Sequence, residues 1–294
     1  VLIRLFFTLL FNRGAKVIIS ASGAAAMLIK FLYYIPLKKN VYFWVVGGDL
    51  HIAIQRGCYN MNALASLKYI LVQGRCMVEE LEKLGLTNAL HVPNSKPITF
   101  LPTINSKQEG EPYRFVFLSR VHPDKGIKEI VDATKQLNEK GLQDRFIVDL
   151  YGKIDPEYVQ QFQSDISTLD NVMYKGFLNL TTTSGYQTLS SYDVMLFPTY
   201  WNGEGFPGIV IDANVSGLPI IASDWNMNKE VVVDGKTGFI IPPHDSKSLA
   251  TQMEKIVCGD VDLYAMKQMC VDYIQQFDSN NVLSEALMKR IKLL

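Results

Sequence analysis

Residues 200–223 read YWNGEGFPGIVIDANVSGLPIIAS, and the fold turns on this stretch. Gly203 and Gly205 mark a loop, and Pro207 stands where a helix can start, because the N–H it lacks would be unpaired there anyway. An apolar-periodic segment follows, with Ile209, Val210, Ala213 and Val215 as its inward face, closed by Gly217 and then Pro219. LPIIAS (218–223) next reads as a buried strand, so the unit is loop, helix, strand. A helix that opens on Gly-Phe-Pro-Gly directs unpaired backbone N–H groups and a positive dipole end at whatever lies above the loop, which suits an anion such as a diphosphate. Glu204 in the loop and Asp212 in the second helical turn flank that opening. Each carboxylate has two readings: a group that reaches hydroxyls beside the anion, or a helix-start charge at Glu204 and a solvated helix residue at Asp212.

Outward from this unit, short apolar runs alternate with helical periods. Towards the N terminus of it, strands are expected at 114–119, 145–152, 171–176 and 193–198, with helices at 126–140, 156–168 and 184–191 between them. Beyond it come a strand at 239–242 and a helix that Ser246 caps and that runs to about Val257. Six strands with intervening helices make a complete doubly wound domain, whose ligands bind at the carboxyl ends of the strands. Residues 1–97 carry the same pattern in shorter form, with helices at 1–11, 23–34 and 75–85 and strands at 15–20, 41–46, 68–73 and 88–93. This resembles the second half of a Rossmann-type domain without its first β-α units. The Pro-, Asn- and Ser-rich segment 98–112 reads as a linker, 113–270 as the second domain, and 271–294 as a C-terminal helix that packs back toward the first.

Composition narrows the function. The 294 residues carry 29 basic and 29 acidic side chains, a formal net charge of zero, which gives no footprint for a nucleic acid. Cys58, Cys76, Cys258 and Cys270 fall in no metal-ligand spacing and read as thiols of a reducing compartment, and no metal site is expected. The Asp260-Val261-Asp262 pair lies far in sequence from the glycine-rich loop and reads as a surface or helix-start pair. VLIRLFFTLLF (1–11) is too short to span a bilayer and reads as a buried or amphipathic helix, with Val1 as an alternative start or a truncation point.

Every candidate polar group of the second domain follows a strand end. Ser119, Arg120 and Lys125 lie just past the 114–119 strand in SRVHPDKG, where two cations five residues apart either clamp a diphosphate or merely solvate the loop, with Lys125 pairing Glu129 on the helix. Phe177 and Leu178 follow the 171–176 strand and read either as a nucleobase support or as core.

Taken in order, SRVHPDKG, YKGFL, FPTYWNGEGFPGIVIDA, SGLPIIAS and VVDGKTGFIIPPHD are similar to the nucleotide-sugar domain of the group 1 (family 4) retaining glycosyltransferases. The resemblance runs from about Tyr113 to Val257. It implies a GT-B fold, two Rossmann-like domains facing each other across a cleft, of which the first is truncated here. It further implies that Arg120, Lys125 and Glu204 act in catalysis, that the amides of Gly205, Phe206, Pro207, Gly208 and Ile209 surround the donor with Ser119, that Asp212 meets the ribose, and that backbone near Phe177 and Leu178 receives the base. Pro207, having no N–H, contributes only its place in that turn. Family members often carry a His before a Gly-Gly-Asp turn. In VYFWVVGGDLH, Val46 takes that place and Gly48 and Asp49 are the acceptor-side candidates.

The function so implied is transfer of a sugar from a nucleoside diphosphate sugar to a saccharide or lipid-linked acceptor with retention. It needs no cofactor and serves surface polysaccharide or glycolipid assembly in the cytoplasm, at the inner face of the membrane. AAAMLIKFLYYIPLKK (24–39) reads either as a core helix or as a peripheral membrane contact. The alternative is a non-catalytic or truncated nucleotide-sugar-binding module.

Overall fold

The computed structural model describes residues 7, 11–12, 15–20, 24–34 and 41–292, so most of the helix expected at 1–11 lies outside the described residues. The chain forms two compact units. The first joins residues 1–94 to two later segments, 202–206 and 282–294, and the second holds 95–201 and 207–281. The expected linker at 98–112 therefore lies inside the second unit. It forms no helix or strand, and Lys107 ties it down by an ion pair with Asp193 at 2.9 Å.

The first unit is built on four parallel strands in the order β1 (Val17–Ile19), β2 (Val41–Trp44), β3 (Tyr69–Val72) and β4 (Ala89–His91). Parallel strands are covered on both faces and so read as unbroken apolar runs. Val41, Tyr42, Phe43, Ile70, Leu71 and Val72 are all buried. Helix α1 (Ala25–Tyr33) buries Ala25, Ile29 and Leu32 and leaves Met27 exposed. Two short helices, α2 (Leu50–Gln55) and α3 (Met61–Ala65), were not expected from the sequence. Each is under two turns long, too short to display a helical period, and α3 depends on Asn60, which accepts from Ala63 N at 2.9 Å. Helix α4 (Arg75–Lys83) precedes β4.

The second unit holds six parallel strands: β5 (Tyr113–Leu118), β6 (Phe146–Tyr151), β7 (Val172–Gly176), β8 (Val194–Phe197), β9 (Ile220–Ser223) and β10 (Gly238–Ile241). Their order across the sheet is β10-β9-β8-β5-β6-β7, the doubly wound arrangement. Phe115 and Phe117 of β5 and Phe146, Val148 and Leu150 of β6 form the core of one face. Two amphipathic helices cover it. In α5 (Ile127–Glu139) the buried residues Ile127, Ile130, Val131, Thr134 and Leu137 recur at helical spacing. In α10 (Ser246–Val257) the stripe is Leu249, Ala250, Met253, Ile256 and Val257. The cap of α10 is Asp245 rather than the expected Ser246: its carboxylate accepts from Ser248 N at 2.9 Å, which holds its pKa below the usual range together with the Ser248 hydroxyl bond.

Three further helices stand between these strands: α6 (Val159–Ile166), α7 (Thr183–Ser190) and α8 (Gly208–Val215). Pro207 caps α8 in an extended conformation and Gly208 is its first residue. The expected one-sided apolar face does not hold for α8. Val210 through Val215 are all buried: Asn214 donates to Val210 O at 3.0 Å while its Oδ1 is buried without a hydrogen-bond partner, and Asp212 is paired as described below. A short helix α9 (Asn228–Val231) follows β9.

The single helix expected at 271–294 is broken. Helix α11 (Leu263–Ile274), capped by Asp262, ends in a 3-10 turn, Gln275–Phe277. Two short helices follow, α12 (Ser279–Val282) and α13 (Glu285–Arg290). Beyond α13, Ile291 is buried with Tyr42, Leu71 and Val92 in the first unit, and the Tyr42 hydroxyl donates to Ile291 O at 2.9 Å.

Candidate active site

Strand β5 pairs with β6 on one side and with β8 on the other, so the sheet reverses its winding between β5 and β8. At such a switch point the loops leaving the two strand ends diverge and open a crevice. The loops in question are 119–126, which carries Arg120, Asp124 and Lys125, and the stretch after Phe197.

Backbone contacts stitch these loops to their neighbours. On the β6 side, Ser119 N donates to Tyr151 O at 3.2 Å, and Gly152 N donates to Gly176 O at 2.8 Å. On the β8 side, Tyr200 N donates to Asp124 O at 2.8 Å. The loop that carries Arg120 and Lys125 thus lies between the β6 end and the β8 end.

Trp201 gathers the charges. The Arg120 guanidinium lies 4.7 Å from the centre of its ring and the Lys125 ammonium 5.8 Å. His122 meets the same ring edge-on at 5.0 Å. Arg120 is exposed, whereas Lys125, in the 3-10 turn Pro123–Lys125, is only 6% exposed. Of the two readings of this pair, the structure removes mere solvation of the loop for Lys125.

Helix α8 begins at Gly208, soon after Trp201. Gly208 and Ile209 are half-buried at its N terminus, and Phe206 and Pro207 are buried. Asp212 is 4% exposed, so it is not the solvated helix residue of one sequence reading. Its Oδ1 accepts from the Tyr186 hydroxyl at 2.6 Å, and its Oδ2 is paired with the Lys96 ammonium. Burial and the bond to Asp212 raise the Tyr186 pKa, so Tyr186 stays a donor at any physiological pH. Two of the four lone-pair positions of Asp212 remain.

Glu204 belongs to the first unit with the rest of 202–206. Within that unit it lies against the Gly47–Gly48 turn so closely that a Cβ on Gly48 would fall 2.4 Å from Glu204 O. A Cβ on Gly205 would fall 2.9 Å from Gly47 Cα. Two backbone turns therefore touch where side chains would keep them apart. Phe206 O accepts from Asn94 Nδ2 at 3.2 Å. Asp49 is exposed at the start of α2 and makes no side-chain cap bond, and Val46 is exposed beside it.

After β7, Phe177 is 78% exposed, which excludes the core reading for it, while Leu178 is half-buried. Among the described residues no group of three or more His, Cys, Asp or Glu is placed to hold a metal ion. No helix among them is long and apolar enough to cross a membrane.

One buried acid lies beside the cation loop. Glu129, in the first turn of α5, is 7% exposed, and its Oε2 is buried without a hydrogen-bond partner. His244 Nδ1 stands 3.9 Å from its Oε1, and the His244 ring packs on Tyr200 at 3.8 Å. Desolvation raises the Glu129 pKa and, with the Glu129 and Asp124 charges, pushes Tyr200 up to about 12. A carboxyl whose pKa is raised on folding favours the folded state fully below its unfolded value, about 4.3, and loses that contribution as pH rises through the folded value. Glu129→Gln is therefore expected to raise Tm at pH 7 and to leave it unchanged near pH 4, as melting curves across that range will show.

Trp201, Lys96, Tyr186 and Glu129 were not singled out by the sequence as site residues. Lys96 and Asp212 are 116 positions apart, and Trp201 sits in a short polar loop with no period to mark it.

Comparison with known proteins gives the family of the chain. The chain is 27% identical over 145 residues to the capsular polysaccharide biosynthesis glycosyltransferase CapM of Staphylococcus aureus, covering 48% of this chain and 36% of that one. It is 26% identical over 213 residues to the phosphatidyl-myo-inositol mannosyltransferase of Mycobacterium leprae, covering 71% of this chain and 54% of that one. The chain thus spans about half or less of the length of these relatives. Among solved structures, Anabaena Alr3699/HepE in complex with UDP superposes with a TM-score of 0.79 at 14% identity, over 100% of this chain and 82% of that one, a likeness of GT-B fold. The family model described as "Glycosyl transferases group 1" matches residues 102–276, which include β5 through β10 and both loops at the switch point. That match takes in more than half of the chain, and on it the protein belongs to the group 1 glycosyl transferases.

Proposed function

We propose that this chain transfers a glycosyl group from a nucleoside diphosphate sugar to a hydroxyl acceptor with retention at the anomeric carbon. One observation carries the reading: at the switch point of the second unit, two cations from the β5 loop share one indole. As the anomeric C–O bond to the diphosphate breaks, its electron pair stays on the departing phosphate oxygen. Arg120, Lys125 and the α8 N terminus supply fixed positive charge where that negative charge develops. The acceptor oxygen forms the new bond to the anomeric carbon, and its proton passes to the departing diphosphate, so charge and atoms balance. On this reading side-chain cations do the neutralising, and no divalent ion is required.

The remaining roles follow the family pattern. Glu204 holds the sugar hydroxyls, Asp212 the ribose, Ser119 and the 205–209 turn the diphosphate, and backbone at Phe177 and Leu178 the base. Gly48 and Asp49 belong to the acceptor side, where Gly48 sets the place of the Glu204 backbone. The functions named for these relatives, capsular polysaccharide synthesis and mannosyl transfer to a phosphatidylinositol, support a saccharide or lipid-linked acceptor in surface polysaccharide or glycolipid assembly. That chemistry belongs at the cytoplasmic face of the membrane. The exposed Val46, where the family often has His, favours a second reading, a binding module that holds the donor without turnover.

Thermal shifts with uridine, guanosine and adenosine diphosphates, followed by nucleoside diphosphate release from the matching sugar nucleotide, separate these readings. One base is expected to stabilise the chain by about 2.7 kcal/mol at a hundred times its dissociation constant, and its sugar nucleotide to be turned over. Binding without turnover would favour the module, and no stabilisation by any of the three would contradict both.

A further inference from the structure

We infer that Trp201 is a positioning residue for the donor diphosphate: its indole face holds the Arg120 guanidinium in place and brings the Lys125 ammonium to the same point. The inference rests on the reading of this site as a diphosphate site.

An exposed arginine on a loop samples many rotamers, and ordering it on a ligand opposes binding. A guanidinium stacked flat on a ring loses that freedom beforehand. Its five donors lie in its own plane and point past the ring edge, so stacking leaves them able to fork onto phosphate oxygens. The 4.7 Å separation of Arg120 from the Trp201 centroid is within the range of such contacts, and indole is the strongest of the aromatic partners.

The platform is itself fixed from three sides. Trp201 N donates to Thr199 Oγ1 at 3.3 Å, Trp201 O accepts from the Trp225 indole N–H at 2.9 Å, and His122 abuts the ring edge. Those partners come from the loops after β8, β9 and β5 respectively. The Trp201 backbone is thus held on two sides and its ring on one edge, and both cations lie over the ring so held.

The test is a double-mutant cycle on the nucleoside diphosphate that stabilises the parent chain, with dissociation constants from calorimetry. Trp201→Leu is expected to weaken binding about 3- to 30-fold. Trp201→Phe, which keeps an aromatic face in the same space, is expected to recover most of the loss. In an Arg120→Ala background Trp201→Leu is expected to cost clearly less, since the part that acts through Arg120 is gone and only the part that acts through Lys125 remains. Parental affinity in Trp201→Leu, or an equal loss with and without Arg120, would overturn the inference while leaving the diphosphate site standing. A parent that bound none of the three diphosphates would bring down the site reading and this inference with it.

Discussion

Lys125→Ala is expected to lower kcat/KM for glycosyl transfer by about 100- to 1000-fold, the loss seen when one preorganised donor is removed from a developing anion. Lys125 is suited to so large an effect because it is buried and its ammonium lies over the Trp201 ring, as the Arg120 guanidinium does. Away from bulk water a charge acts on the leaving group with less screening than a surface lysine would. Lys125→Arg is not expected to restore the rate, since a planar fork and a compact ammonium do not occupy one buried site interchangeably. Nucleoside diphosphate release at varied donor concentration measures the loss. A melting curve of the same sample shows whether the fold persists. A kcat/KM within threefold of the parent would remove Lys125 from the chemistry.

The second large effect is on stability. Gly126 sits between the 3-10 turn that holds Lys125 and helix α5, with φ of +80°. A Cβ there would lie 2.3 Å from Pro198 O and 2.6 Å from Pro198 Cγ, in the loop leaving β8. The backbone conformation alone costs about 1–2 kcal/mol for any other L-residue, and the clash falls on a backbone carbonyl that has little room to move. Gly126→Ala is therefore expected to destabilise the chain by about 3 kcal/mol or more. Gly141 is the control: its φ is +74° and a Cβ would meet nothing within 4 Å. Gly141→Ala should cost only the conformational part, about 1–2 kcal/mol. Denaturant titrations of the two variants measure the difference. Equal costs would show that the β5 and β8 loops are not held together at this glycine.

Much of the second unit was legible in the sequence because a parallel strand tends to announce itself as an unbroken apolar run and a covering helix as a stripe. The run at Phe115–Leu118 and the stripe in α5 illustrate this, whereas β6 is interrupted by the buried Asp149. Strand order was not written in any local pattern. It follows from pairing between β5 and β8, some 80 residues apart, and that pairing makes a crevice of two loops. Arg120 and Lys125 could be chosen from charge and strand ends. Their common partner could not, because contact with Trp201 depends on the fold.

Helix α8 shows the opposite failure. Asp212 and Asn214 suggest a polar side facing water, yet the helix is buried all round because Lys96 and Tyr186 satisfy Asp212 from distant segments. The same limit applies to 202–206. Nothing in WNGEGF distinguishes a stretch that leaves the second unit to lie against Gly47 and Gly48 of the first.

A structure of the chain with its stabilising nucleoside diphosphate would test the assignment of the switch-point loops most directly. The diphosphate is expected within about 2.7–3.2 Å of the Arg120 guanidinium and the Lys125 ammonium, beside the first turn of α8. A nucleotide seated elsewhere, with Arg120 still on Trp201 and neither cation touching a phosphate, would contradict it.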